Sequence, residues 1–167
     1  MNIVLHRPEI PHNTGAIGRT CLVTGAKLHL IRPYGFYLDE KSLKRAGMDY
    51  WHKVDVREYD NFSHFIESIH GEAASCPGQI NISRNRIHIV ETGGNSTYTS
   101  VKYNPNDYII FGSETTGLPA SIVDEYRERV VSIPMIGDSR SLNLSVAVGI
   151  VLYEALRQGG FAGLSIK

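Results

Sequence analysis

Short apolar segments alternate with helical patterns along all 167 residues, and this alternation predicts an α/β protein. Helical crossovers between successive strands make the strands parallel, so we expect one parallel sheet with helices on both faces. The length suits a single domain, because a domain typically holds about 150 residues. No Pro/Ser-rich linker, repeat or low-complexity tract divides the chain. We therefore predict one domain over residues 1–167.

The amino-terminal half contains three predicted strands and three predicted helices. Strands are expected at 2–6, 27–31 and 54–59, and helices at 13–23, 39–46 and 60–70. Asn13 or Thr14 would cap the first helix, and Gly25 would end it. The second helix has a basic outer face, and the third has an apolar stripe at helical spacing.

The carboxy-terminal half continues the alternation after a polar loop predicted at 71–85. Strands are expected at 86–90, 107–111 and 129–133, and helices at 119–126 and 141–158. Pro119 would lie in the first turn of its helix, and Gly159 would end the last one. The last helix is apolar almost all round, which is typical of a helix buried in a core or a subunit interface.

The charge balance of the chain excludes one class of protein and leaves a local asymmetry. The chain has 17 Lys and Arg against 17 Asp and Glu, which excludes a globally basic protein. Residues 1–53 hold eight Lys or Arg and four acids, a net +4, so residues 54–167 carry −4. This asymmetry is either charge scattered over a solvated surface or a local phosphate-binding face, with histidines nearby.

The cysteines and the amino terminus predict where the protein works. Cys21 and Cys76 have neither CxxC nor metal-ligand spacing, and the seven histidines are scattered, so we expect reduced thiols and no metal. The apolar run near the start is too short for a signal peptide. We expect a cytoplasmic protein with no membrane association.

Three segments concentrate Gly, Asn, Ser and Arg where parallel strands should end, which is where ligands bind such sheets. They are PEIPHNTGAIGR at 8–19, FGSETTGLP at 111–119 and IPMIGDSRSLNLSVAVGI at 133–150. Gly112 would admit a ligand close to the backbone, and Gly117 can adopt positive φ. Each segment also has an ordinary structural interpretation: a helix cap with a surface Arg, a βα turn, and a capped buried helix. The sequence lacks GxGxxG after a strand, the P-loop, GxSxG and HExxH.

Taken in order, the three segments carry N-x-G-x-x-x-R, F-G-x-E-x-x-G-L-P and I-P-M…S-x-N-x-S. This series resembles the 2′-O-ribose branch of the SPOUT class of S-adenosylmethionine-dependent RNA methyltransferases, over essentially the whole chain. Within that branch the chain is similar to small enzymes that methylate the wobble nucleotide of leucine tRNAs. The stretches LKRAGMDYW and LYEALRQ add to the likeness.

The resemblance implies a carboxy-terminal trefoil knot, a homodimer and S-adenosylmethionine as cosubstrate. It implies that cofactor contacts fall on Val90, Gly112, Ile133, Ser141 and Leu142. Arg19 would orient or activate the ribose 2′-hydroxyl and the adjacent phosphate, with Asn13 fixing its loop. The remaining expected roles are structural or substrate contact for Glu114, shaping of the cofactor loop for Ser141 and Asn143, and a position near the pocket for Tyr153.

The expected RNA partner is the anticodon stem-loop of leucine tRNAs, and Lys41, Lys44 and Arg45 are candidate contacts. The chain departs from its relatives at two places. Val90-Glu91-Thr92-Gly93-Gly94 replaces a Leu-Thr-Thr-Lys-Gly-like turn, which removes a Lys and adds an acid, and 71–86 resembles an insertion. Two alternatives stay open: methylation of another tRNA position or of rRNA, and a knotted dimer that binds RNA without catalysis.

Overall fold

The computed structural model describes residues 1–38, 48–74, 84–137 and 141–166. Within these residues the backbone forms one seven-stranded sheet with the strand order β3-β2-β1-β6-β4-β7-β5. The strands are β1 Asn2–His6, β2 Lys27–Ile31, β3 Val56–Tyr59, β4 Ile87–Val90, β5 Ser96–Thr97, β6 Tyr108–Phe111 and β7 Val130–Ser132. The helices are α1 Pro11–Thr24, α2 Phe62–Ala74, α3 Ala120–Glu125 and α4 Leu144–Gln158, with 3-10 turns at Trp51–Lys53, Arg84–Arg86 and Arg127–Arg129.

Every strand pair in this sheet is parallel, so the predicted fold class is confirmed. The central strand β1 pairs with β2 on one side and with β6 on the other. Successive side chains of a strand point to opposite faces, and both faces are covered. Ile3 and Leu5 belong to the core beneath α1 and α4, whereas Val4 joins the core on the opposite face with Phe65 of α2. This double burial explains why the strands are continuous apolar runs.

Several predicted boundaries are wrong. Asn13 does not cap α1, because the helix already begins at Pro11 and Ile10 occupies the cap position. Proline suits the first helical turn, since the backbone donor it lacks would have no intrahelical acceptor there. Similarly, Ser141 precedes α4, and Asn143 caps it by accepting from Ser145 N.

The prediction of a loop over the whole of 71–85 is wrong at both ends, and residues 75–83 lie outside the described residues. The helix α2 continues to Ala74, and Arg84–Arg86 forms a 3-10 turn. Pro119 lies just before α3 rather than within it. The two-residue strand β5 was not predicted, because it is too short to show alternation. The predicted helix at 39–46 lies outside the described residues.

Other predictions are confirmed, including the bounds of β1 and β2 and the end of α1 at Gly25, which adopts φ 70°. The described helices include none with the length and apolar character needed to span a bilayer. The trefoil knot stays a prediction.

Candidate functional site

A cavity of about 580 Å³ lies at the carboxyl ends of β4, β6 and β7, beside the start of α4. Parallel strands place their carboxyl ends at the same edge of a sheet, so the loops after them meet there. All three of the segments singled out in the sequence contribute to the cavity. Its lining residues include Ile10 and Asn13 from the first segment, Phe111–Gly117 from the second, and Ile133, Met135, Ser141, Leu142, Asn143, Leu144 and Ala147 from the third.

The loop after β6 is built by close backbone approach. Ser113 N donates to Gly117 O at 3.2 Å, and Gly117 N donates back to Ser113 O at 3.1 Å. A Cβ on Gly112 would lie 2.2 Å from the carbonyl carbon of Gly117, so no larger residue fits there. Gly117 itself adopts φ +66°, a conformation that glycine accepts without strain. The two glycines of the FGSETTGLP segment therefore set the shape of this wall.

Glu114 fastens the first segment to the second. Its carboxylate accepts from Glu9 N at 2.8 Å, from Ile10 N at 3.2 Å and from Asn13 Nδ2 at 2.9 Å. In return, the Glu9 carboxylate accepts from Thr115 N at 3.2 Å and from Thr115 Oγ1 at 2.8 Å. The two glutamates form a reciprocal clasp between loops more than 100 residues apart in sequence.

Asn13 extends this connection to the third segment. Its Oδ1 accepts from Asn143 Nδ2 at 2.9 Å, and Asn143 Oδ1 accepts from Ser145 N at 2.9 Å. Asn13 is buried. A capping side chain would bond only within its own helix, whereas Asn13 bonds to residues of both other segments. The chain of polar side chains from Glu114 through Asn13 to Asn143 therefore holds the three loops in one arrangement around the cavity.

Glu91 forms part of the opposite wall. Its Oε2 accepts from Leu118 N at 3.0 Å, and its Oε1 accepts from Thr92 N at 3.0 Å. Ser132 Oγ donates to Glu91 O at 2.6 Å and accepts from Gly94 N at 2.7 Å. These bonds tie the loop after β4 to both of its neighbours.

The charge of the lining is negative. Glu91 and Glu114 are carboxylates, and the described residues that line the cavity include no Lys, Arg or His. No group of three His, Cys, Asp or Glu side chains within the described ranges has the geometry of a metal site. The rest of the lining is apolar side chain and backbone, which suits a small organic ligand.

Two histidines of the basic amino-terminal third cannot serve as surface cations. Burial, reinforced by Arg7, lowers the pKa of His6 to about 4. Burial, reinforced by Arg57 and Lys27, lowers the pKa of His29 to about 3. Both rings are therefore neutral at pH 7 and add no positive charge to a phosphate-binding face.

The structure brings most of the predicted site residues to the cavity, but not all of them. Those that line it are the five predicted cofactor contacts Val90, Gly112, Ile133, Ser141 and Leu142, together with Asn13, Glu114 and Asn143. Arg19 and Tyr153 are not among its lining residues. The Arg19 guanidinium lies 4.6 Å from the centre of the Tyr50 ring, and Tyr153 lies on the exposed face of α4. Lys41, Lys44 and Arg45 lie outside the described residues.

Sequence reasoning missed Glu9 and Thr115, which complete the clasp with Glu114. Glu9 carried no signal, because its partner is far away in sequence and an acid between two prolines reads as an ordinary loop residue. Glu91 did carry a signal, since it is the acid by which the turn at Val90–Gly94 departs from the family pattern.

Comparison with known proteins agrees with this arrangement. The SpoU rRNA Methylase family matches residues 1–153. The chain is 44% identical to the tRNA (cytidine(34)-2′-O)-methyltransferase of Yersinia pestis, over 100% of this chain and 99% of the relative. It is 43% identical to the protein of the same name from Escherichia coli K12, with the same coverage.

Solved structures share the fold. One that concerns the 2-OH methylation of C/U34 on tRNA superposes with a TM-score of 0.79 at 38% identity, covering 95% of each chain. The SpoU methyltransferase AviRb from Streptomyces viridochromogenes, solved with AdoMet, has a TM-score of 0.76 at 25% identity, covering 95% of this chain and 57% of that one. By sequence, by fold and by the convergence of its three motif segments, the chain belongs to the SpoU rRNA Methylase family.

Proposed function

We propose that this protein transfers a methyl group from S-adenosylmethionine to the ribose 2′-hydroxyl of nucleotide 34, the wobble cytidine or modified uridine, in leucine tRNAs. The observation that carries the proposal is the convergence of three separate segments on one cavity, held together through Glu114, Asn13 and Asn143. The full-length similarity to tRNA (cytidine(34)-2′-O)-methyltransferases supports the choice of nucleotide.

The cavity fits the proposed cosubstrate. Its volume of about 580 Å³ lies within the range of small-molecule sites. Val90, Ile133 and Leu142 provide apolar surface for a flat base, and the bare backbone at Gly112 permits close hydrogen bonds. When bound, S-adenosylmethionine would supply the methyl group for the ribose oxygen, with the hydroxyl proton passing to solvent and S-adenosylhomocysteine as the other product.

The chain's own residues contribute positioning. A ribose hydroxyl is a weak nucleophile, so holding it in line with the methyl group supplies much of the acceleration. The bonds through Glu114, Asn13 and Asn143 fix the loops before any ligand arrives, so that binding does not have to order them. Preorganisation of this kind reduces the free-energy cost of reaching the reactive geometry.

Arg19 is the proposed contact to the ribose and its neighbouring phosphate. It stands on α1 six residues after the cavity residue Asn13, about 9 Å along the helix axis. The side chain is exposed, stacks on Tyr50, and forms no ion pair with a carboxylate of the described residues. A guanidinium is a cation that offers only hydrogen-bond donors, so Arg19 orients the ribose and stabilises negative charge rather than removing the hydroxyl proton.

We also propose a homodimer that uses the outer face of α4. Val146 and Tyr153 are exposed along this face at helical spacing, with exposed fractions of 49% and 48%. Apolar side chains aligned in this way favour burial against a second copy of the chain. The enzyme would act in the cytoplasm, where tRNA is processed.

The variant Arg19→Ala tests the proposed mechanism. We expect S-adenosylmethionine binding, measured by calorimetry, to stay within twofold of the wild type, while methyl transfer to tRNA falls at least a hundredfold. Arg127→Ala is the matched control, because it removes another exposed arginine. Arg127 pairs with Asp124, and neither residue lines the cavity. Near-normal methyl transfer by Arg19→Ala would remove Arg19 from the mechanism.

A further inference from the structure

Glu91 is a charged residue of the cavity wall that the methyl-transfer reaction leaves without a role. It directly follows β4 and lines the cavity. Its carboxylate is one of the two in the described lining.

The carboxylate is held in place by backbone donors. Leu118 N donates to Oε2, and Thr92 N donates to Oε1, each at 3.0 Å. Oε2 would lie 2.7 Å from a Cβ on Gly117, so the group sits directly against the glycine of the neighbouring loop. Since its donors are neutral amides, these bonds fix the position of the negative charge without cancelling it.

Nothing described in the lining neutralises this charge. Glu114, the other carboxylate, accepts three bonds inside the clasp, and no described Lys, Arg or His lines the cavity. A carboxylate offers about four acceptor positions. Glu91 uses two in the close bonds from Leu118 N and Thr92 N and a third in a longer bond of 3.5 Å from Thr92 Oγ1, so it keeps capacity for one more bond, towards a ligand.

We propose that Glu91 makes the cavity prefer the cationic cosubstrate over its neutral product. This inference rests on the proposed function. S-adenosylmethionine carries one more positive charge than S-adenosylhomocysteine, its sulfonium, and the two molecules otherwise share their polar groups. A fixed negative charge in the wall attracts the first more than the second, which assists release of the product after each turnover.

The expected size of the preference follows from Coulomb's law. If the sulfonium binds about 6–10 Å from the carboxylate, an effective dielectric constant of about 40 makes the carboxylate favour the cation by roughly threefold to tenfold. Because the effect is electrostatic, the preference should shrink as salt concentration rises. The decrease should be smaller than for a fully exposed pair, because salt screens a partly buried pair less.

The test compares three ligands by isothermal titration calorimetry on the full chain: S-adenosylmethionine, S-adenosylhomocysteine and sinefungin, which carries an ammonium group in place of the sulfonium. In Glu91→Gln, we expect the Kd values of the two cationic ligands to rise roughly threefold to tenfold relative to that of S-adenosylhomocysteine. Glu91→Asp, which keeps the charge, should retain a preference close to that of the wild type. Glu128→Gln removes an exposed carboxylate outside the cavity and should leave the ratio unchanged.

Each outcome is decisive. The Kd ratio of the cationic ligands to S-adenosylhomocysteine could match the wild type in Glu91→Gln, even if all three ligands bind more weakly by the same factor. That result would show that Glu91 only braces the loops, and it would overturn this inference but not the proposed function. If the wild type bound none of the ligands, the proposed function would fall together with it. If Glu91→Gln does not fold, Glu91→Thr, which also removes the charge, gives the same comparison.

Discussion

Replacing Glu114 by glutamine tests whether the clasp between the loops stabilises the protein. All three groups that reach this carboxylate are donors: Glu9 N, Ile10 N and Asn13 Nδ2. A glutamine side chain has only one acceptor oxygen. If that oxygen takes the place of Oε1, it keeps the bonds to Ile10 and Asn13, and its NH₂ then faces the Glu9 N–H.

At least one bond to a charged acceptor is therefore lost. Such a bond contributes about 1.5–3 kcal/mol. Because the site is only half-buried, the expected loss in unfolding free energy lies around or below the lower end of that range, at about 1–2 kcal/mol. For a chain of this size the Tm should fall by roughly 2–8 °C. Since the first segment is then held less firmly against the cavity wall, the affinity for S-adenosylmethionine should fall in parallel.

Urea unfolding and calorimetry measure both effects, with Glu128→Gln as the control. That substitution removes the same charge at an exposed position that lies outside the clasp. Unfolding curves for Glu114→Gln that superpose on those of the wild type would refute the view that the clasp holds the loops together.

Further predictions concern the backbone, the buried pairs and the thiol. Gly112→Ala should lower the unfolding free energy by about 3 kcal/mol and abolish cofactor binding, because the new Cβ would overlap the backbone of Gly117; calorimetry measures both effects, and a variant that binds normally would contradict the close approach. Burial alone would raise the pKa of Asp107, but hydrogen bonds from His88 and Asn104 outweigh it and hold the pKa below its ordinary value of 3.8. The stability from Asp107 is thus present above pH 3.8 and lost as pH falls through the lower folded-state value; unfolding between pH 5 and 2 should show a steeper loss in the wild type than in Asp107→Asn. Burial raises the pKa of the Cys21 thiol to about 12, so alkylation at pH 8 followed by peptide mapping should leave Cys21 unmodified until the protein is denatured.

The sequence predicted the structure best where burial determines which positions are apolar. The bounds of β1 and β2 were predicted correctly, because both strands are buried almost throughout and are apolar for that reason. The location of the cavity was also predictable, since the carboxyl ends of parallel strands meet at one edge. Composition and periodicity contain no trace of a knot, which only the family resemblance suggests.

The internal connections of the site could not be predicted in the same way. Asn13 was interpreted as a cap because Asn before an apolar helical pattern usually is one. Its actual partners, Glu114 and Asn143, lie 101 and 130 residues away, and no local pattern encodes such pairs. Glu9 escaped notice for the same reason, and Arg19 carries no feature of local sequence that reports its stacking on Tyr50.

The balanced charge of the chain also acquires a clearer meaning. The positive third at 1–53 contains Arg19 and the candidate contacts Lys41, Lys44 and Arg45, whereas the cavity wall is negative. RNA phosphates and a cationic cosubstrate need surfaces of opposite sign, and a neutral chain can provide both. Affinity for RNA should consequently be modest and sensitive to salt.

The most direct test of the central claim is to locate the transferred methyl group. The purified protein is incubated with S-adenosylmethionine that carries an isotopically labelled methyl, together with leucine tRNAs, and the digested nucleosides and fragments are analysed by mass spectrometry. We predict label on the ribose 2′-oxygen of nucleotide 34, in the cytidine or modified uridine, and at least a hundredfold less label with Arg19→Ala. Label at another nucleotide or in rRNA, or no label from a protein that binds the cosubstrate, would contradict the account.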